Sequence, residues 1–120
     1  MKHGEIRWYK FTRPDKKRPV LILTRDSVLE YLGEVTVAPI TTTVRNIPSE
    51  VYLSKADGMP RECAVNCDHL QTVAKEKIGS LITSLPVSKI HDVWLILKLL
   101  SQRVSQLTFA QKKLMAKRKI

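Results

Sequence analysis

Long apolar runs are scarce in this 120-residue sequence. The longest, residues 93–100, is interrupted by Lys98 and falls well short of the roughly 20 residues a transmembrane helix needs. The N-terminus also lacks the charged-then-apolar pattern of an export signal. Both absences argue against a membrane partner and lead to the expectation of a cytoplasmic protein. Cysteine is nearly missing as well, with Cys63 and Cys67 alone. On one strand they would face the same side roughly 13 Å apart, too far for a disulfide. Only His69 is close enough in sequence to join them as a metal ligand. The expectation is two small buried hydrophobes in a reducing compartment, with no metal and no other cofactor.

Acidic residues are absent from positions 101–120, which hold six Lys/Arg, and residues 1–20 hold seven Lys/Arg against two acids. The 80 residues between them carry eight Lys/Arg and nine acids, so the formal charge of +10 sits at the two ends of a nearly neutral body. End-loaded positive charge favours a polyanionic partner, most simply nucleic acid. A solubilising basic tail is the other reading for residues 112–120.

No repeat or low-complexity linker divides the chain. Residues 4–11 alternate as a first strand, with Ile6 and Trp8 on one face. Residues 12–18 form a short basic turn marked by Pro14-Asp15. Residues 19–24 are continuously apolar, as in a buried strand, with Pro19 at the tolerated first position. Residues 25–33 read as a loop with a helical turn, 34–40 as a third strand, 41–49 as a loop and 50–53 as a short strand. Asp57-Gly58-Met59-Pro60 turns the chain. Residues 63–73 read as a strand bent near Asp68-His69. The apolar positions 78, 81, 82 and 85 have helical spacing. Ser88 is expected to cap a helix whose stripe is 90, 93, 94, 97 and 100, continuing through Val104, Leu107, Leu114 and Met115. Several short strands followed by helix predict an α+β chain, mostly β: a small, partly open barrel with helix packed on it.

Four stretches then share a pattern. Gly4-Glu5-Ile6 with Trp8, Lys17-Arg18-Pro19-Val20-Leu21-Ile22, Val37-Ala38-Pro39-Ile40-Thr41 and Asn66-Cys67-Asp68-His69-Leu70-Gln71-Thr72-Val73 resemble, in order and spacing, the motifs of the MazF/PemK toxins. These are the endoribonucleases of bacterial toxin–antitoxin pairs. The resemblance covers roughly residues 4–100, so residues 1–100 are expected to be the toxin domain and 101–120 a basic helical extension or tail. It implies an SH3-like β-barrel with a C-terminal helix. It also implies a homodimer, single-stranded RNA (mRNA) as substrate and a cognate antitoxin as partner. By position it assigns catalysis to Arg18 and Thr41. In one branch an Arg-x-Asp pair supplies acid–base chemistry; here those positions read Asn66 and Asp68. Gln71 stands where many members have another arginine. The 12–18 loop is shorter than the family's Gly-rich loop, and nothing after about 101 has a counterpart.

The residues suit that chemistry. RNA brings its own nucleophile, the 2′-OH, so the protein need supply only proton transfer and charge stabilisation. Arg18 offers a permanently charged bidentate donor for a phosphorane, or is simply a surface arginine in a basic turn. Thr41 offers a hydroxyl to a phosphate oxygen, or merely ends a strand; Thr42 and Thr43 extend that cradle or bond the turn backbone. Asp68, kept ionised if near Arg18, would accept the 2′-OH proton, or else it forms a turn. His69 could share the proton work. Arg13, Lys16 and Lys17 would hold phosphates without reading sequence, and Gln71 completes the expected RNA-contacting set. A non-catalytic nucleic-acid-binding barrel is the alternative from another class. A gyrase poison is a third reading, disfavoured because no aromatic follows Phe109 where that sister branch needs a terminal tryptophan.

Overall fold

Residues 20–22 are apolar without a break because this half of their strand is covered on both faces. The computed structural model describes residues 1–10 and 16–105, with the backbone alone for 102–105. Its strands are β1 (Glu5–Lys10), β2 (Lys17–Ile22), β3 (Glu34–Thr41), β4 (Glu50–Leu53), β5 (Cys63–Asn66), β6 (Gln71–Ala74) and β7 (Ile78–Ser84). A one-turn helix α1 (Asp26–Leu29) follows β2, and the long helix α2 (Val87–Ser105) follows β7. The strands form one open antiparallel sheet in the order β4-β5-β3-β2-β1-β7, with β6 attached to β3 off that path. The expected mostly-β barrel, incompletely closed, with a C-terminal helix is what the chain forms. Among the described residues, no helix is long and apolar enough to cross a membrane.

Two cores follow from the period of two along each strand. Ile6, Leu21, Leu23, Ala38, Ile40, Val51, Leu53 and Val65 face α2 and meet Val93, with Ile90, Ile96, Leu97 and Leu100 packed alongside. The opposite face gathers Val20, Ile22, Val35, Val37 and Val73 under Leu29 of α1, with Tyr9 and Ile78 at its margin. The helical stripe expected from the sequence is therefore the core-facing one at 90, 93, 97 and 100, with Val93 fully buried and the others half-buried. Trp94 instead leans outward, stacked on His3 with ring centroids 5.7 Å apart, and donates its indole N–H to His3 Nε2 at 3.1 Å.

Three expectations are corrected. The helical spacing over 75–85 belongs to a strand, β7, which pairs with β1 in an irregular register. Tyr9 faces Ile78, Arg7 faces Leu81 and Ile6 faces Thr83, so β7 spends an extra residue at each step. Such bulges convert a spacing of two into three and mimic a helix. Gly79 lies in the bulged stretch, where an added Cβ would sit 3.3 Å from the Trp8 carbonyl oxygen. The single bent strand over 63–73 is two strands, because β3 offers two sets of partners. Its end pairs with β5 through Ile40 and Thr41, and its beginning pairs with β6 through Glu34 to Val37. Finally, α2 begins at Val87, and the Pro86 carbonyl accepts from the N–H groups of Lys89 and Ile90. Ser88 thus lies inside the first turn and is not the cap. Arg13, the turn at Pro14-Asp15, the side chain of Val104 and the stripe beyond residue 105 lie outside the described residues.

Candidate RNA-cleavage site

The β2–β3 ladder pairs Ile22 with Val37, Leu21 with Ala38 and Val20 with Pro39. Continued by two residues, this register sets Arg18 opposite Thr41. Directly opposed residues of an antiparallel pair share a face. Arg18 and Thr41 therefore stand at neighbouring strand ends on the face that carries Val20 and Val37. Tyr9 continues the row on one side, opposite Arg18, and Ala64 and Tyr52 continue it on the other, through the pairs Thr41–Ala64 and Ala64–Tyr52. Gln71 joins the same face through its pairing with Val37.

The electrostatics favour an anion here. Lys16, Lys17 and Arg18 are exposed, and Lys10 is exposed directly opposite Lys17. None of the four is in a salt bridge; among the described residues the ion pairs are Arg7–Glu5 at 2.8 Å and Lys89–Asp57 at 4.0 Å. Like charges set across a strand pair repel, so this end of the sheet gains when a polyanion arrives. Arg7 is already spent, donating to Glu5 and to the Gly79 carbonyl.

Thr41 is half-buried at the end of β3, and its Oγ1 accepts the Thr43 N–H at 3.1 Å. That bond uses a lone pair and leaves the hydroxyl proton available to donate outward. Thr42 and Thr43 are exposed on the turn that follows. Of the three, Thr41 is the one whose hydroxyl bonds the turn backbone, through the Thr43 N–H.

Asp68 is in a different situation from the one expected. No salt bridge joins it to Arg18 among the described residues. Its Oδ2 accepts a hydrogen bond from the Ser49 hydroxyl, and its N–H donates to Asn66 Oδ1 at 3.0 Å. Asn66, at the position where one branch carries arginine, thus folds the turn that presents Asp68. His69 is exposed on that turn, and Gln71 is exposed at the start of β6. Ser49 was missed by sequence reasoning: within Ile47-Pro48-Ser49-Glu50 it looks like any loop serine, and only the fold brings it to residue 68. Cys63 and Cys67 are buried and free. Burial, aided by the neighbouring Asp68 charge, pushes the Cys67 thiol up to about 11, which leaves it inert at neutral pH.

The model of PemK-like, MazF-like toxins of type II toxin–antitoxin systems matches residues 2–100. The chain belongs to that family. Endoribonuclease MazF3 of Mycobacterium tuberculosis is 47% identical over 75 residues, covering 62% of this chain and 73% of the relative. Probable endoribonuclease MazF2 of the same organism is 37% identical over 93 residues, covering 77% of this chain and 89% of the relative. Among solved structures, Mycobacterium tuberculosis toxin MazF-mt6 superposes with a TM-score of 0.70 at 39% identity, covering 78% of this chain and 91% of that one. These relatives are nucleases of a toxin family, so the binding-module and gyrase-poison readings lose their support.

Proposed function

We propose that this toxin is a metal-independent endoribonuclease that cuts single-stranded RNA, mRNA included, through the RNA's own 2′-OH. The 2′-oxygen attacks the adjacent phosphorus, and Asp68 takes its proton, with His69 able to share that work. Arg18 and Thr41 stabilise the charge that grows on the phosphorane oxygens. The 5′-oxygen leaves and takes up a proton from water, giving a 2′,3′-cyclic phosphate and a 5′-OH. Lys16, Lys17 and Arg13 hold flanking phosphates, Thr42 and Thr43 widen the donor row, and Gln71 contacts the RNA on the same face.

The observation that supports this most is the β2–β3 register, which continued past Val20–Pro39 brings Arg18 toward Thr41, beside Lys10, Lys16 and Lys17, three cations with no acidic partner among the described residues. A guanidinium and a hydroxyl side by side supply two charge-matched donors to one phosphate. Residues 1–100 make the nuclease, and 101–120 supply a basic helical extension or a basic tail. The toxin works in the cytoplasm as a homodimer. Its antitoxin is an acidic, partly disordered segment that folds over the RNA groove. The test is incubation of the purified toxin with a long single-stranded RNA in excess EDTA, followed by mapping of the ends. Discrete cuts support the proposal. RNA shifted on a gel but left intact would refute it.

A further inference from the structure

Among the described residues, Glu5 and Ser49 are the polar side chains that are buried. Glu5 is explained by Arg7 and by the Lys2 N–H. Ser49 is not explained by the fold alone. Its carbonyl oxygen already accepts the Cys67 N–H at 3.0 Å, which ties the start of β4 to the turn after β5. Its hydroxyl adds a second bond across the same gap, to the carboxylate of Asp68, which is itself exposed. A buried hydroxyl committed to an exposed carboxylate does little for the core. What it does is hold a mobile side chain in one orientation.

We infer that Ser49 is a positioning residue for Asp68; this rests on the proton-accepting role proposed above. Asp68 is held at two points. Its N–H is held by Asn66 Oδ1 at 3.0 Å, and its Oδ2 by the Ser49 hydroxyl. Oδ1 has no protein partner among the described residues and is the oxygen presented to the RNA. The anchor is rigid, because Ser49 is 8% exposed and the neighbouring Cys67 is 3% exposed. A carboxylate fixed in direction is a better base than one that samples its rotamers, because the orientation is set before the RNA arrives.

The test uses an RNA oligonucleotide carrying one site mapped with the wild-type toxin, with single-turnover rates taken at saturating protein. Ser49→Ala lowers the rate by about tenfold and leaves the half-saturating concentration unchanged, as loss of alignment rather than of binding requires. Ser49→Thr, which keeps the hydroxyl, restores most of the rate. In an Asp68→Asn background, Ser49→Ala changes nothing further, because the group it orients is already gone. If Ser49→Ala unfolds, Ser49→Cys, similar in shape but a far weaker donor, carries the same comparison. Losses that multiply in the double variant overturn the inference, as does Ser49→Ala cutting at the wild-type rate while Asp68→Asn is inactive. Wild-type cutting by Asp68→Asn is a separate outcome: it removes the proton role of Asp68, and the inference with it.

Discussion

Arg18→Ala is expected to slow RNA cleavage by roughly 10²–10³-fold while leaving the unfolding midpoint where it was. The two halves of that expectation have separate causes. Arg18 is exposed near the start of β2 and makes no salt bridge among the described residues. Removing such a side chain alters stability by about 0.5 kcal/mol at most. The β2–β3 register, continued two residues past Val20–Pro39, brings Arg18 toward the end of β3 that carries Thr41, where two donors can straddle one phosphate. Lysine at this position keeps the charge but loses the fork, so Arg18→Lys should recover part of the rate and not all of it. The measurement is a pair of curves for each variant: cleavage of a long single-stranded RNA, and thermal unfolding. A drop in rate matched by a drop in midpoint would make Arg18 a structural residue.

Leu21→Ala should do the reverse. Leu21 lies three positions along the same strand but on the other face, 2% exposed, between Ile6 of β1 and Ala38 of β3. Ala38 has only a methyl group and cannot swing into the vacated space, so the cavity stays open. The cost is about 3 kcal/mol, which lowers the midpoint by roughly 12–20 °C in a domain of this size. Cleavage measured well below the new midpoint should remain close to wild type, since the Arg18 face is untouched. A cold-active, heat-labile Leu21→Ala beside a stable, inactive Arg18→Ala would separate the strand's two faces into packing and chemistry. Loss of activity at low temperature in Leu21→Ala would mean that the two faces are coupled.

The two variants also show why part of this molecule was legible in the sequence. β2 and β3 declare themselves because Val20–Ile22 is a buried apolar run and β3 carries a buried apolar stretch, and the turn residues around them are strong. The placing of Arg18 and Thr41 at neighbouring strand ends follows from continuing the ladder that pairs Leu21 with Ala38. β7 was hidden for a physical reason. Its bulges against β1 space Ile78, Leu81 and Ile82 as a helix would, and nothing local reveals the partner strand. The division of 63–73 into β5 and β6 was hidden in the same way, because it depends on β3 having two sets of partners. Asp68 was a candidate in the sequence, and the hydroxyl that bonds it was not. The sequence pointed to Arg18 as the carboxylate's neighbour, whereas the donor that the fold brings to it is Ser49, 19 residues earlier. Contacts of that kind are set by the fold, and a serine in a loop carries no mark of them.

The central claim is that the RNA supplies its own nucleophile to a site built from Arg18, Thr41 and Asp68. It is tested most directly by one RNA oligonucleotide made in two forms, with a ribose or a 2′-deoxyribose on the 5′ side of the mapped cut, each incubated with wild-type toxin in excess EDTA. The account predicts cleavage of the ribose form to a 2′,3′-cyclic phosphate and a 5′-OH, with no cleavage of the deoxy form at that position. Cutting of the deoxy form at a comparable rate would contradict it, because the attacking oxygen would then have to come from water or from the protein.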